Sequence, residues 1–569
     1  MRFFIINVLI LIFTLLIALI GKCGLGHGAE VEMPARKSVT IACTCKAESI
    51  IDLFSRESER TKAIAWFKDH GVTRVYLETF RHGRFADEDL LQAVKRDFEA
   101  AGLDVQGAIC PTNTKVWPLT ACQSKIEEHE LLKKVSERTA KLFDLIILDD
   151  FISTSCTCKL CTKLKADRSW GDARSEFQLE LGRKYILEPG QAVNPNVQFM
   201  VKFPCWYEKY YQAGYDVLRD TELYGMSYIG TETREPDDPA GGRRPQTQAS
   251  WIQGWANDFS QGHCGGAWFD PLGTKPETFV EQARQSVLGG AREILIHSYD
   301  YLGTDSPGIA VHGNGKVEYG MADAAAFQKE KDSLLLLANK LVDMQPRGIL
   351  LAKQPNKDVA REASLNGFLP MLGLPVLPAA SLKETPADIL TLTSGSFDGL
   401  HERILDNCKI RKPTLITYNL LLELPNDVRE TLGITDEWMN RDRPETFLEI
   451  VHDNLYVLGC GRDLWQLMDL PQETIDTVRG AMTAPFSLKL QAPTRVSFHL
   501  FTASNHQLQA VENFNNKPVR VTLTWLDGHN ASELTQSFPN SDAVRVVTQN
   551  ENSLQLELAP RSLAILESF

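Results

Sequence analysis

Carboxylates stand at the ends of several short apolar segments of this 569-residue chain. The segment LIILDD ends in Asp149 and Asp150, the string GTETR contains Glu232, and the segment GGAWFD ends at Asp270. Two carboxyl groups can cleave a glycosidic bond, because one protonates the leaving oxygen while the other attacks the anomeric carbon or activates water. The catalytic candidates are therefore Asp150, Glu232, Asp270 and Asp149.

Cations and aromatic residues accompany these carboxylates. Aromatic faces stack on sugar rings, and neighbouring charges decide which acid keeps its proton. Any one carboxylate could instead cap the helix that follows its strand. Adjacent strand residues point to opposite faces, so only one of Asp149 and Asp150 is expected to face the reacting centre, while the other orients a neighbour. The substrate-binding candidates are Glu78, Arg81, Lys202, Trp206, Arg234, Trp268 and Tyr299.

Other chemistries find little support. Metal-dependent barrel hydrolases usually carry an H-x-H pair after the first strand, where this chain has Thr44, Cys45 and Lys46. The 12 histidines are scattered, and the sequence has no G-x-S-x-G, G-x-G-x-x-G or P-loop string. No organic cofactor is expected. A formal net charge of −13 disfavours nucleic acid as a partner and favours a neutral substrate such as a carbohydrate.

Three cysteines form a compact C-x-C-x-x-C string after the LDD segment. They are Cys156, Cys158 and Cys161, and Cys110 follows the neighbouring apolar segment. Four thiolates from adjacent loops can complete a tetrahedral zinc site, which is structural because no position is left for water. The alternatives are one disulfide plus free thiols, or Cys122 as the fourth ligand.

The carboxylates need a scaffold, and the alternation of short apolar segments with helical patterns between residues 39 and 302 predicts one. Such alternation indicates parallel strands joined by crossover helices, and eight units of this size predict a (β/α)₈ TIM barrel. Its active site forms where the strands end, which is where the carboxylates fall. A doubly wound open sheet is the alternative. The predicted strands are 39–43, 73–78, 104–109, 144–150, 197–203, 226–232, 265–270 and 292–300.

The remainder of the chain changes character twice. Strand and helix patterns continue to about residue 485, whereas VRVTLTW (519–525) and its neighbours alternate strictly, as in an antiparallel sandwich. Such a module either binds glycans or packs on its neighbour, and packing is the favoured interpretation. The predicted fold class is α/β, with three domains. They are a (β/α)₈ catalytic barrel (38–335), a smaller flavodoxin-like or trimerisation-like α/β domain (336–485) and a C-terminal antiparallel β-sandwich (486–569).

The first residues have the pattern of a signal peptide. Arg2 precedes the apolar run 3–20, and small residues follow at 24–29. Residues 1–29 therefore predict export to the periplasm or the extracellular space. An uncleaved anchor that tethers the protein to the membrane is the alternative, and the sequence has no other apolar run of that length.

The whole plan resembles the family 42 β-galactosidases, which have a barrel, an α/β trimerisation domain and a small β-domain. The resemblance implies a glycosidase and a homotrimer. Many members bind zinc through a cysteine after strand three and a C-x-C-x-x-C cluster after strand four. Cys110, Cys156, Cys158 and Cys161 match that arrangement.

The resemblance also implies catalytic roles. The family's general acid is the second residue of an Asn-Glu pair, which corresponds to Asp150, with Asp149 at the Asn position. Its nucleophile follows strand seven, where this chain has Asp270, so both expected glutamates are aspartates. Other barrel glycosidases place the nucleophile after strand four and the acid after strand six, which would pair an aspartate with Glu232. The chain is also similar to exported barrel proteins that share LDDF and GTETR. A non-catalytic carbohydrate-binding barrel is the alternative function.

Overall fold

The structure is a computed structural model that describes residues 39–111, 122, 124–150, 153–236, 244–304, 308–312, 315–359, 362, 364–452, 454–504, 506–527 and 532–568. The predicted signal peptide, residues 1–29, lies outside these residues. Within the described ranges, no helix combines the length and the apolar character needed to cross a membrane.

Eight parallel strands close into a barrel, in which β1 pairs with both β8 and β2. Each predicted barrel strand is confirmed, although several ends differ by a few residues. Inward-facing side chains such as Tyr76, Met200, Tyr228 and Trp268 fill the interior. The strands are β1 (Thr40–Cys45), β2 (Arg74–Glu78), β3 (Asp104–Ile109), β4 (Leu145–Leu148), β5 (Gln198–Phe203), β6 (Gly225–Gly230), β7 (Cys264–Phe269) and β8 (Glu293–Ile296).

Helices cover the outside of the barrel. The helix at Glu88–Ala100 shows why: it begins after Asp87, whose side chain accepts a hydrogen bond from Leu90 N, and it buries Leu91, Val94 and Phe98. The main helices are α1 (Glu57–Asp69), α2 (Glu88–Ala100), α3 (Ile126–Ala140), α4 (Trp170–Gly182), α5 (Val217–Tyr224), α6 (Gln248–Phe259), α7 (Pro276–Leu288) and α8 (Met321–Lys340). Shorter helices are Ala47–Asp52, Lys159–Lys165, Arg183–Leu187, Glu188–Val193, Tyr210–Ala213 and Tyr299–Leu302.

A six-stranded sheet follows the barrel, in the order β13-β12-β14-β15-β17-β16. Its strands are parallel except for β16, which is an antiparallel edge. The chain first forms the hairpin β9 (Gly308–His312) and β10 (Gly315–Tyr319), and then β11 (Gln345–Arg347). The sheet comprises β12 (Ile349–Ala352), β13 (Val376–Ala379), β14 (Asp388–Leu390), β15 (Thr414–Thr417), β16 (Phe447–His452) and β17 (Leu455–Gly459). Its helices are α9 (Leu365–Phe368), α10 (Leu400–Lys409), α11 (Tyr418–Glu423), α12 (Asn426–Thr431), α13 (Asp436–Met439) and α14 (Gln472–Thr483).

The C-terminal part is a sandwich of two antiparallel sheets around a common apolar core. One sheet has the order β11-β19-β20-β25-β22, and the other has the order β18-β21-β24-β23. Strand β11 precedes the six-stranded sheet in the chain, yet it pairs with β19. The strands are β18 (Leu488–Gln491), β19 (Val496–Ala503), β20 (His506–Asn513), β21 (Val519–Trp525), β22 (Glu533–Phe538), β23 (Val544–Asn550), β24 (Ser553–Leu558) and β25 (Ser562–Ser568).

A buried ionic network joins the barrel to the sandwich. Arg284 of α7 donates to Glu330 of α8 at 2.6 and 2.8 Å and to Glu512 of β20 at 3.0 Å. Arg561 pairs with Glu281 of α7 at 3.2 Å. Removing one partner of such a network would leave an uncompensated buried charge between the barrel and the sandwich.

Candidate active site

A buried lysine near the end of β5 gathers three carboxylates at the rim of the barrel. Lys202 is 2% exposed, and its Nζ donates to Asp149 Oδ1 at 3.0 Å, Asp150 Oδ1 at 3.2 Å and Glu232 Oε1 at 3.0 Å. The same nitrogen lies 4.5 Å from the ring centre of Trp268. Residues from β5, from β7 and from the segments after β4 and β6 are thereby brought together.

The two adjacent aspartates have different surroundings. Although burial alone would raise its pKa, the charges of Lys202 and Arg81 lower the pKa of Asp149 below the usual range, and Arg81 Nη2 donates to its Oδ2 at 2.8 Å. Burial raises the pKa of Asp150 to about 6, with Lys202 opposing the rise and the carboxylates of Asp149 and Glu232 adding to it. Asp149 is thus a fixed anion, whereas Asp150 can exchange a proton near neutral pH.

The two aspartates do not point to opposite faces, and the expectation that one faces the reacting centre while the other orients a neighbour stays a prediction. Strand β4 ends at Leu148, and Asp150 has a left-handed backbone with φ +37°. Strand alternation therefore does not extend to this pair, and both carboxylates reach Lys202.

Glu78 orients an arginine, and both of its oxygens are already occupied. It is fully buried at the end of β2, where it accepts hydrogen bonds from Arg81 Nε at 2.7 Å, from Arg81 Nη2 and from Ala47 N at 3.2 Å. We expected Glu78 to bind substrate, but its buried contacts show that it positions Arg81 against Asp149.

Glu232 approaches the backbone very closely. Its Oε1 accepts from Lys202, while its Oε2 is buried without a hydrogen-bond partner among the described residues. A Cβ placed on Gly230 would lie 2.2 Å from Oε2 and 2.8 Å from Cys205 N. The glycine of the GTETR string is therefore required to make room for the glutamate of the same string.

Asp270, after β7, is held by an arginine fork. Arg234 Nε and Nη2 donate to Asp270 Oδ1 and Oδ2 at 3.1 and 2.8 Å, and Leu272 N donates to Oδ1 at 3.0 Å. Gln282 of α7 supports the pair, since its Nε2 donates to Asp270 O at 3.0 Å. Both oxygens of this carboxylate are committed to the protein.

A histidine that sequence reasoning set aside lies beside these groups. His297 follows β8, its Nδ1 lies 2.8 Å from Thr44 Oγ1, and its ring centre is 4.8 Å from that of Trp268. Burial and the nearby cations lower the pKa of His297 well below its usual value, so the ring is neutral. Its only sequence signal was its position within the eighth predicted strand, 292–300.

The three aromatic candidates differ in accessibility. Trp268 is buried in the barrel interior beneath Lys202, so it supports the lysine instead of presenting an open face. Tyr299 is buried with its ring 5.6 Å from that of Phe54, on the side of the barrel helices. Trp206 is half-buried, and its contact with substrate stays a prediction.

Four cysteines converge beside the loop after β4. The sulfurs of Cys122, Cys156, Cys158 and Cys161 all lie within 4.8 Å of one another, and Cys122 Sγ is 3.7 Å from Cys158 Sγ and 3.6 Å from Cys161 Sγ. Disulfide sulfurs would be about 2.05 Å apart, whereas tetrahedral zinc bonds of about 2.3 Å place sulfurs roughly 3.8 Å apart. The cysteines of this cluster are free thiols. The set fits a zinc ion, but its fourth member is Cys122, because Cys110 is buried at the end of β3 outside the cluster.

Comparisons with known proteins identify the family of the barrel. The family described as "Probable glycosyl hydrolase, catalytic domain" matches residues 29–319, which include all eight barrel strands. An uncharacterized protein of Saccharolobus solfataricus is 26% identical over 279 residues, which are 42% of this chain and 45% of that protein. The chain thus spans about half the length of this curated relative.

Two solved structures share the fold over 94% of this chain at 11% identity. One is an α-L-fucosidase isoenzyme from Paenibacillus thiaminolyticus, with a TM-score of 0.60 and 100% of its own chain covered. The other is a catalytic mutant of a family 42 β-galactosidase from G. stearothermophilus, with a TM-score of 0.56 and 98% covered.

Proposed function

The chain belongs to this family of glycosyl hydrolases, its barrel is the glycosyl hydrolase catalytic domain, and we propose that Asp150 and Glu232 are its catalytic pair. The observation that carries the proposal is that one lysine nitrogen contacts both carboxylates. The substrate is a glycan or oligosaccharide, and the reaction is hydrolysis by paired carboxyl groups.

Asp150 is the general acid of this proposal. A carboxyl group can donate a proton near neutral pH only if its pKa is raised, and burial raises the pKa of Asp150 to about 6. The side chain is 27% exposed, which makes it the most accessible carboxylate around Lys202. Its proton would pass to the glycosidic oxygen as the bond to the leaving sugar breaks.

Glu232 is the second carboxylate. Because Asp150 Oδ1 and Glu232 Oε1 contact the same nitrogen at 3.2 and 3.0 Å, the two oxygens lie no more than about 6.2 Å apart. Carboxyl groups of retaining glycosidases are about 5–5.5 Å apart, and those of inverting enzymes about 6.5–9.5 Å. Because this upper limit lies below the inverting range, we propose a retaining reaction. Glu232 attacks the anomeric carbon as the leaving sugar departs, and Asp150 then takes a proton from the water that displaces Glu232.

The remaining groups keep the pair in place. Although burial opposes its charge, the carboxylates of Asp149, Asp150 and Glu232 raise the pKa of Lys202 well above its usual value, so the lysine stays protonated. Asp270 is at the position that the family 42 resemblance assigns to the nucleophile. We propose instead that it positions Arg234, because both of its oxygens are bound by that arginine.

Hydrolysis of a panel of chromogenic aryl glycosides by the full chain tests the proposal. We expect release from at least one glycoside, with Asp150→Asn and Glu232→Gln each lowering kcat/KM by about 10²–10⁴, and Asp270→Asn lowering it less. Proton NMR of the first-formed anomer should show retention. A normal turnover by Glu232→Gln would refute the pair. Saturable sugar binding without product would favour the carbohydrate-binding barrel.

We also propose that the cysteine cluster holds one structural zinc ion. The four thiols of Cys122, Cys156, Cys158 and Cys161 would occupy all tetrahedral positions, so the ion would order the segment after Asp150 and take no part in the reaction. Export of the protein is proposed on the N-terminal sequence pattern alone.

A further inference from the structure

An imidazole ring with one unused nitrogen lies at the mouth of the barrel, on the side away from the catalytic pair proposed above. His297 directly follows β8, and β6 and β7 separate β8 from β5, which carries Lys202. The backbone nitrogen of His297 donates to Phe269 O at 2.9 Å, which extends the pairing of β8 with β7 by one residue. The histidine is therefore placed by the barrel itself and not by a separate loop.

Contacts from three elements hold the ring of His297 in one orientation. Its Nδ1 lies 2.8 Å from Oγ1 of Thr44, a fully buried residue of β1. The ring of Trp268 on β7 is centred 4.8 Å away at an angle of 30°, and the ring of Tyr301, after β8, is centred 5.7 Å away at 82°. The direction in which the second ring nitrogen, Nε2, points is thus set before any ligand binds.

The second nitrogen has no use within the protein. No described residue forms a hydrogen bond with Nε2 of His297, and Nε2 is not one of the fully enclosed polar atoms. The residue as a whole is 7% exposed. A buried ring that is held on one nitrogen and leaves the other open is arranged to bind a group that enters the barrel mouth.

Trp268 relates this nitrogen to the catalytic pair. Lys202 Nζ lies 4.5 Å from the ring centre of Trp268, and the ring centre of His297 lies 4.8 Å from it, so Nζ and the imidazole are no more than about 9.3 Å apart. The same Nζ contacts Asp150 and Glu232. A sugar whose anomeric carbon lies between these carboxylates would present the opposite side of its ring to His297.

The chemistry of the imidazole selects a hydroxyl group as its ligand. Burial and the charge of Arg81 lower the pKa of His297 well below its usual value, so the ring is neutral and has one donor and one acceptor nitrogen. The hydroxyl of Thr44 can pair with Nδ1 as donor or as acceptor. A sugar hydroxyl likewise pairs with Nε2 in either tautomer, whereas an ammonium group only donates and a carboxylate only accepts.

We propose that His297 is a substrate-binding residue whose Nε2 forms a hydrogen bond with the hydroxyl group at C-3, C-4 or C-6 of the sugar that is released. The inference rests on the glycosidase function proposed above. The contact would select sugars that carry a hydroxyl group at that position, and it would hold the anomeric carbon between Asp150 and Glu232.

Hydrolysis of deoxygenated substrates tests the contact. The substrates are the 4-nitrophenyl glycoside that the full chain hydrolyses fastest and its 3-, 4- and 6-deoxy analogues. We expect one analogue to have a kcat/KM about 5–150-fold below that of the complete sugar, because it leaves Nε2 without a partner. In His297→Phe, which keeps an aromatic ring beside Trp268, this ratio should approach unity while the ratios for the other analogues stay those of the parent.

Two further variants separate the contact from a structural role. Thr44→Val keeps Nε2 but removes the partner of Nδ1, so it should reduce the same ratio in part. His70→Asn is the matched control, because His70 is also a buried histidine beside a tryptophan, with its ring centre 4.0 Å from that of Trp66, but it lies on the outer helix α1. It should leave every ratio unchanged. Equal losses on all substrates in His297→Phe would refute the contact.

NMR of the full chain labelled with ¹⁵N-histidine gives a readout that does not need turnover. The Asp150→Asn variant is titrated with methyl β-D-galactopyranoside, methyl β-D-glucopyranoside and the methyl glycoside of any other sugar that the parent hydrolyses. Among the resonances of the 12 histidines, those lost in His297→Phe report the contact. We expect at least one probe to shift them in a saturable way.

The outcome separates this inference from the proposed function. Hydrolysis of a glycoside whose methyl glycoside leaves the His297 resonances unmoved would reject the contact and keep the glycosidase. A saturable shift in a chain that hydrolyses no glycoside would reject the glycosidase and keep His297 as a sugar ligand. A chain that shows neither would reject both.

Discussion

Replacing Lys202 with methionine should move the pH dependence of hydrolysis upward. The variant keeps the length of the side chain but removes the positive charge that lies 3.2 Å from Asp150. An opposite charge this close lowers a carboxyl pKa by about 1–3, so its removal should raise the pKa of Asp150 from about 6 to roughly 7–9. The alkaline limb of kcat/KM, where the acid loses its proton, should shift by the same amount.

The same substitution should also destabilise the fold. Three carboxylates would be left together without their common cation, and breaking such a buried arrangement costs about 3–5 kcal/mol at pH 7. Because the folded-state pKa values of these carboxylates would lie above their unfolded values, the loss should be recovered as the pH falls towards about 4. Denaturant unfolding at pH 7 and pH 5 would measure this loss in the free energy of unfolding and its recovery.

Lys353→Met is the matched control. Lys353 is 1% exposed, but its Nζ donates to three neutral backbone oxygens, those of Gln354, Pro355 and Lys357, at 3.1–3.3 Å. We expect this variant to lose stability while its pH profile stays that of the parent. An unshifted alkaline limb in Lys202→Met, or an equal shift in both variants, would refute the electrostatic role of Lys202.

Three further predictions follow from the site. Asp150→Asn should keep far more activity on a dinitrophenyl glycoside than on a methyl glycoside, because a good leaving group needs no proton, whereas Glu232→Gln should lose both; equal losses on the two substrates would reject the acid role. Gly230→Ala should lower kcat/KM by at least tenfold, since its Cβ would collide with the Glu232 carboxylate, and a crystal structure of the variant would show the displaced side chain. Cys122→Ser should abolish binding of about one zinc per chain and lower Tm, while Cys110→Ser should retain the metal, as measured by metal analysis; loss of zinc in both would contradict the ligand set.

The barrel could be predicted from the sequence because each of its strands is a short apolar run followed by a helical pattern. The carboxylates at the strand ends followed from the same argument. The strand-alternation rule failed at Asp150, since a left-handed residue after the strand cannot be seen in an apolar pattern. Cys122 was weighed only as an alternative, because the folded path that brings it to the cluster is not encoded in local spacing.

The pairing of charges was the least predictable part. Glu78 and Glu232 are the same residue type, so the sequence does not distinguish them. In the structure Arg81 donates to Glu78, whereas Oε2 of Glu232 accepts no hydrogen bond from the described residues. Which carboxylate meets which cation depends on side-chain directions at neighbouring strand ends. Export and a trimeric assembly stay predictions.

Strand β11 has a consequence for how the molecule is made. Gln345 pairs with Thr502, more than 150 residues later, so the six-stranded sheet is inserted between two neighbouring strands of the sandwich. During synthesis the sandwich cannot be completed until the inserted sheet has left the ribosome, and closing so long a loop slows folding. A chain cut after residue 485 would keep β11 without its partner, so the sandwich cannot be removed or exchanged as one continuous segment.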